Sequence, residues 1–104
     1  MKKYRIKINS QALYNIRDIA VWYGTQQTGL GMRFQNVVIK QIEDLTENPQ
    51  AFVIRYKDIR CMVVKKFPYM VHFYVNTQTS TIIVLAIIST SRNPKIWEEK
   101  TGEI

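Results

Sequence analysis

The chain holds one histidine, His72, and one cysteine, Cys61, among its 104 residues. A structural zinc site needs about four such ligands and is excluded, and no other metal site is legible. No internal disulfide is possible. A Cys–His nucleophilic pair is formally available, but nothing else in the sequence supports it. His72 lies in an alternating apolar segment, where a lone histidine mostly plays a structural part. Cys61 reads as a small buried apolar residue. Asp18, Glu43, Asp44 and Glu47 fall on helix surfaces without a convergent pair, so carboxylate catalysis has no support. Gly29 and Gly31 are turn residues that lack the preceding strand a phosphate-binding loop requires. The remaining chemistry is cationic and aromatic. Arg92 ends an apolar run before Asn93-Pro94, where a guanidinium can clamp a phosphate or a carboxylate bidentately, or cap the terminal helix. Arg60 carries the same two readings. Lys65 and Lys66 read as a basic rim that steers encounter. Tyr69, after Pro68, can stack on a base, carry a proton, or pack beside Phe67. Trp97 reads chiefly as an anchor for the C-terminal helix.

These side chains sit in a basic chain. Lys and Arg total 15 against 8 acids, a net charge of +7. The excess crowds the first strand (Lys2, Lys3, Arg5, Lys7), the stretch after Pro49 (Arg55, Lys57, Arg60, Lys65, Lys66) and the end of the last strand (Arg92, Lys95). A basic face on the sheet side is the footprint of a polyanionic or acidic partner; a merely solvated surface is the plainer reading. Apolar residues make up 46% of the chain and aromatics 12%, enough for a packed core and against wholesale disorder. The length suits one domain, spanning 1–104. The N-terminus lacks the apolar stretch of a signal peptide, and no apolar run reaches the ~18 residues of a membrane span. The expectation is a cytoplasmic protein with no membrane partner.

The elements that must position these residues follow from periodicity. Tyr4, Ile6 and Ile8 alternate with Lys3, Arg5 and Lys7, predicting a half-buried strand. Ser10 is a plausible N-cap for a helix from Gln11 to Thr25, with Leu13, Ile16, Ile19, Ala20 and Tyr23 at helical spacing. Gly29 and Gly31 mark a tight link to a second helix with Phe34, Val37, Val38, Ile42 and Leu45, stopped at Asn48-Pro49. Strands follow at Arg60–Lys65, Met70–Asn76 and Thr81–Ile88, and a short helix at Lys95–Lys100. Thr77–Ser80 is the turn between the last two strands. The last strand is β-branched and apolar almost throughout, as a strand covered on both faces would be. The order β-α-α-β-β-β-α predicts an α+β domain: an N-terminal strand, an αα-hairpin, three further strands in one largely antiparallel sheet, and a short C-terminal helix, with the helices on one sheet face.

Several strings, in this order, resemble the RelE/ParE superfamily of toxins from bacterial type II toxin–antitoxin modules. They are Ala20-Val21-Trp22-Tyr23, Gly29-Leu30-Gly31-Met32-Arg33-Phe34, Leu45-Thr46-Glu47-Asn48-Pro49, Asp58-Ile59-Arg60, Phe67-Pro68-Tyr69, and Ala86 to Pro94 followed by Trp97. The resemblance covers nearly the whole chain and is closer to the ParE-like, plasmid-stabilisation branch. It implies neutralisation by a cognate acidic antitoxin and one of two targets. ParE-like members inhibit DNA gyrase and are not known as nucleases; RelE-like members act at the ribosome and cleave mRNA. Of the RelE-type cleavage set, Arg92 matches. The arginine after the mid-strand tyrosine falls at Met70, the lysine pair near Cys61 to Val63, a histidine of many relatives at Ser89 or Thr90, and the C-terminal tyrosine near Trp97. If the chain is a nuclease, it is a metal-independent one with Arg92, Arg60, Lys65 and Tyr69 around the phosphate. The leading expectation is a gyrase inhibitor that needs no cofactor. Its target- or antitoxin-binding residues would be Arg60, Lys65, Lys66, Tyr69, Arg92, Lys95 and Trp97. A member that has lost toxicity is the third reading.

Overall fold

A computed structural model describes residues 3–101. The chain runs β1 (Arg5–Ile8), α1 (Ser10–Gln26), α2 (Leu30–Asp44), a 3-10 turn (Pro49–Ala51), β2 (Ile54–Tyr56), β3 (Ile59–Val63), β4 (Tyr69–Asn76), β5 (Thr81–Ser89), a second 3-10 turn (Pro94–Ile96) and α3 (Trp97–Thr101). The strands form one sheet in the order β1-β5-β4-β3-β2, parallel between β1 and β5 and antiparallel elsewhere. The α+β class and the largely antiparallel sheet are as the sequence predicts.

The αα-hairpin covers one sheet face. Ala12, Ile16 and Ile19 of α1 and Phe34, Val38 and Ile42 of α2 recur at three- and four-residue spacing and are buried on it. Beneath them lie Met62, Val71, Phe73, Ile82, Val84 and Ile87. The two glycines of the link do different work. Gly29 takes φ 85 at the N-cap of α2, a left-handed conformation that favours glycine. Gly31 is buried where the helices cross, and a Cβ there would land on the Ala20 carbonyl oxygen.

Four expectations are corrected. Ser10 is not the cap: it is already helical, and Asn9 precedes it in extended conformation with no side-chain cap bond. α2 ends at Asp44, short of Asn48-Pro49, because Leu45 is buried and the chain turns so that the Thr46 carbonyl accepts from the Tyr4 N–H. β2 is an added edge strand, too short at three residues for alternation to reveal it. Finally, the helices do not share one face. α3 closes the opposite face, where its Trp97 packs with Cys61, Met70, Ala86 and Ile88.

β5 serves both faces through a register shift. Phe73 pairs with Val84 but His72 pairs with Ala86, so Leu85 is an extra residue. Ile82, Val84 and Ile87 therefore join the helix-side core, while Ala86 and Ile88 join the α3 side. Two helix amides complete the sheet where a neighbouring strand stops. β1 pairs with β5 only as far as Val84, and beyond it the Ile87 N–H donates to Asn15 Oδ1 of α1 at 3.1 Å. Past the end of β3, the Lys65 N–H donates to Gln41 Oε1 (2.7 Å) and Gln41 Nε2 donates to the Val63 carbonyl (3.0 Å). Each amide satisfies backbone groups that would otherwise be orphaned.

Candidate functional site

Antiparallel pairing brings the end of β3, the start of β4 and the end of β5 to one end of the sheet. The turn after β3 carries Lys65 and Lys66, Tyr69 opens β4, and Arg92 and Lys95 follow β5. The turns are tied together by the Thr90 N–H and hydroxyl, which both donate to the Pro68 carbonyl. Lys66 sits at φ 67, so a left-handed backbone turns this rim. Lys65, Lys66, Arg92 and Lys95 are all exposed. Four cations at one end make a local positive field.

Beside this end lies an open groove between α1 and the sheet, lined by Tyr14, Asn15, Asp18, Ile19, Tyr69 and Arg92. It continues past Val21, Trp22 and Thr25. Tyr69 forms the floor. Its ring meets Tyr23 and Phe34 edge-on at centroid distances of 6.3 and 5.7 Å. Burial and the Asp18 carboxylate push its phenol above the ordinary tyrosine range, against the opposing pull of Arg92. The hydroxyl is therefore protonated at neutral pH and is able to donate a hydrogen bond.

The α1 wall was not singled out by sequence reasoning. Tyr14, Val21 and Trp22 are 61, 64 and 54% exposed, respectively. With Asp18 they stand at i, i+7, i+8 and i+4, one stripe out of phase with the buried Ala12, Ile16 and Ile19. The signal was present as apolar residues left over once the core stripe was assigned.

On the opposite face, α3 seals a polar layer inside apolar surroundings. His72 is wholly buried, with Nδ1 2.9 Å from the Tyr56 hydroxyl and 3.5 Å from Cys61 Sγ. One directed chain accommodates all the partners: His72 Nδ1–H to Tyr56, Tyr56 to Thr101 Oγ1, and Thr101 to the Trp97 carbonyl. Trp97 packs on Tyr56 and His72 at centroid distances of 5.1 and 5.0 Å, and its Nε1 is buried without a partner. Burial, helped by Arg55, lowers His72 to about 4. Burial raises the Cys61 thiol to about 11 and the Tyr56 phenol to about 12. The Cys–His pair thus exists in space, but both members are neutral and shut from solvent, so it supplies no nucleophile.

The sequence-derived residues therefore divide. Lys65, Lys66, Tyr69, Arg92 and Lys95 share one end of the molecule. Arg60 does not join them: it pairs with Phe73, four residues and about 13 Å along β4 from Tyr69. Its guanidinium donates to the Phe52 and Gln50 carbonyls at 2.6 and 3.3 Å, holding the segment before β2. Trp97 is 6% exposed and belongs to the sealed layer. No group of three or more His, Cys, Asp or Glu able to hold a metal ion occurs among the described residues.

This arrangement has relatives. Residues 6–94 match the family model of the ParE toxin of the type II toxin–antitoxin system parDE. Among solved structures, the chain is similar to one of the chromosomal ParDE toxin–antitoxin system of P. aeruginosa. The two share 16% identity and a TM-score of 0.70, over 84% of this chain and 96% of that one. It is also similar to the intact E. coli RelBE toxin–antitoxin complex, with 17% identity, TM-score 0.65, and 86 and 99% of the two chains covered. The isolated E. coli RelE toxin matches at 17% identity and TM-score 0.64, over 92% of this chain and 94% of its own. No curated protein sequence matches. The chain belongs to the ParE toxin family of type II toxin–antitoxin systems.

Proposed function

We propose that this toxin acts by binding DNA gyrase rather than by cutting RNA, and that a cognate acidic antitoxin neutralises it. The observation that carries the reading is the sealed face. The positions where the family resemblance would put a nuclease's cations and proton donor are Cys61 to Val63, Met70 and Trp97; Cys61, Met70 and Trp97 are 9, 7 and 6% exposed in the layer that α3 seals, and exposed Val63 carries no charge. A phosphodiester cannot reach that layer, and no side chain in it is charged at neutral pH. The accessible chemistry is that of an interface: a basic rim of Lys65, Lys66, Arg92 and Lys95 beside an apolar-walled groove. Such a surface attracts an acidic segment electrostatically and seats apolar side chains along α1. The similarity to the P. aeruginosa ParDE system and to the E. coli RelBE complex supports an antitoxin for this chain too.

The test uses purified protein, gyrase, ATP and plasmid, read on a gel. Loss of supercoiling with linear DNA accumulating, reversed by the antitoxin, is the expected result. No effect at large molar excess would sink the reading for the gyrase tested. Cuts within codons, mapped on mRNA in a translation extract, would instead make the toxin a ribosome-dependent nuclease. The Tyr69–Arg92 pair would then be the place to seek its chemistry.

A further inference from the structure

The basic rim does not exhaust the charge. β1 holds a second pair of cations at the opposite end of the sheet, on the face away from the αα-hairpin. Ile6 and Ile8 pack into the helix-side core, so Arg5 and Lys7, which alternate with them, point to the other face. The register places Arg5 beside Thr81, which pairs with Asn76, and Lys7 beside Ile83, which pairs with Tyr74. Two cross-strand rows result: Arg5–Thr81–Asn76 and Lys7–Ile83–Tyr74. Val75 and Phe73 face the helices, so Tyr74 lies on this open face.

α3 covers only the other half of the face, over Cys61, Met70, His72, Ala86 and Ile88. Neither core cluster includes the side chains of these two rows, although on β3 the second row continues from Tyr74 into Ile59, which is fully buried. Arg5 and Lys7 are exposed, and Tyr74, Ile83, Thr81 and Asn76 are half-buried. β1, β5 and β4 contain no acidic residue at all. Lys57, in the β2–β3 turn at the far edge of the sheet, is held by Glu98 of α3 at 3.6 Å, whereas Arg5 and Lys7 make no ion pair among the described residues. The strands thus present two cations about 7 Å apart along one edge and an aromatic ring two strands away, while Asn76 Oδ1 and the Thr81 hydroxyl are engaged within the β4–β5 turn. Cations tracking a backbone beside a stacking platform is the chemistry by which sheets hold unpaired nucleic acid.

We infer that the uncovered half of this sheet, with Arg5 and Lys7 on phosphates and Tyr74 under a base, binds single-stranded DNA. The inference rests on the gyrase reading for its choice of DNA, since a gyrase-bound toxin works beside DNA strands. The binding itself is separable from inhibition.

The probe is a fluorescent single-stranded DNA oligonucleotide of about 20 nucleotides, followed by anisotropy with the purified toxin over a range of salt. Saturable binding is expected, with single strand preferred over duplex and over RNA of the same sequence. Tyr74→Ala should weaken it by about tenfold. The Arg5→Glu/Lys7→Glu pair should weaken it at least as much and flatten its salt dependence. Lys65→Glu/Lys66→Glu, at the other end of the sheet, should change it far less. Circular dichroism on each variant confirms the fold, as the substituted side chains lie outside both core clusters. Absent binding, equal binding of RNA or duplex, or affinity indifferent to Arg5, Lys7 and Tyr74 would each overturn the inference. So would charge reversal that abolishes antitoxin capture while leaving oligonucleotide binding intact. If oligonucleotide binding fails and supercoiling is still inhibited, this inference falls and the gyrase reading stands. If binding holds and supercoiling is untouched, the reverse follows.

Discussion

His72 illustrates how burial, not residue type, sets a side chain's role. Its imidazole is wholly enclosed and its pKa is lowered from 6.5 to about 4, first by desolvation and then by Arg55. The folded protein thus holds the proton less tightly than the unfolded chain. The stability this gives is complete above pH 6.5 and drains away as the pH falls toward 4, amounting to roughly 3 kcal/mol. Urea midpoints measured at several pH values across that window should drop with acid, and His72→Leu, though less stable at pH 7, should drop less steeply. Glycine gives a second contrast. Gly31→Ala drives a Cβ into the Ala20 carbonyl of α1 and should cost about 1–3 kcal/mol as the hairpin is forced apart. Gly24→Ala, also helical but with open space around it, should stabilise α1 by about 0.5–1 kcal/mol. Equal effects at the two glycines in chemical denaturation would contradict this account of the link.

Between residues and the whole molecule, α2 does more than cover the core. Through Gln41 it also holds the turn that carries Lys65 and Lys66, with one side-chain amide bonding both Val63 and Lys65. Gln41→Ala should cost about 1–2 kcal/mol and speed hydrogen exchange at the Lys65 amide while leaving β1 and β5 protected. Uniform protection at Lys65 would show that the turn holds itself. α3 depends on tertiary anchoring in the same way. Five residues cannot sustain a helix alone, and Trp97, set between Tyr56 and His72, fastens it. The loss of one large buried aromatic in Trp97→Ala should cost about 3–5 kcal/mol.

At the scale of the molecule, the proposed interface divides the work of binding between charge and apolar surface. The rim of Lys65, Lys66, Arg92 and Lys95 acts at a distance, so reversing its charges should slow association with the antitoxin most at low salt and leave dissociation nearly unchanged. The α1 stripe acts on contact. Trp22→Ala removes a side chain that is 54% exposed, and should raise the antitoxin dissociation rate with little change in the thermal midpoint. Stopped-flow association and surface-plasmon dissociation separate the two. A Trp22→Ala complex that dissociates like the wild type would remove α1 from the interface.

Much of this was legible before any fold. The alternation in β1, the helical stripes of α1 and α2 and the β-branched run of β5 each encode a local period. A local period needs only neighbours in sequence to be read. The family strings added the topology and the expectation of an antitoxin partner. Contacts between distant residues decided the rest. β2 is too short to have a period of its own and exists because β3 offers it an edge. The extra residue at Leu85 hides in an apolar run, where a switch of face leaves no mark on composition. Arg60 looked like Arg92 in sequence, yet one is spent on the carbonyls of Phe52 and Gln50 and the other borders an open groove. Cys61 and His72 stand 11 residues apart and meet only because β3 and β4 pair in one register. Periodicity and charge are properties of the chain. Register, burial and the face a side chain takes are properties of the packed sheet, and these decide which residues are left free to act.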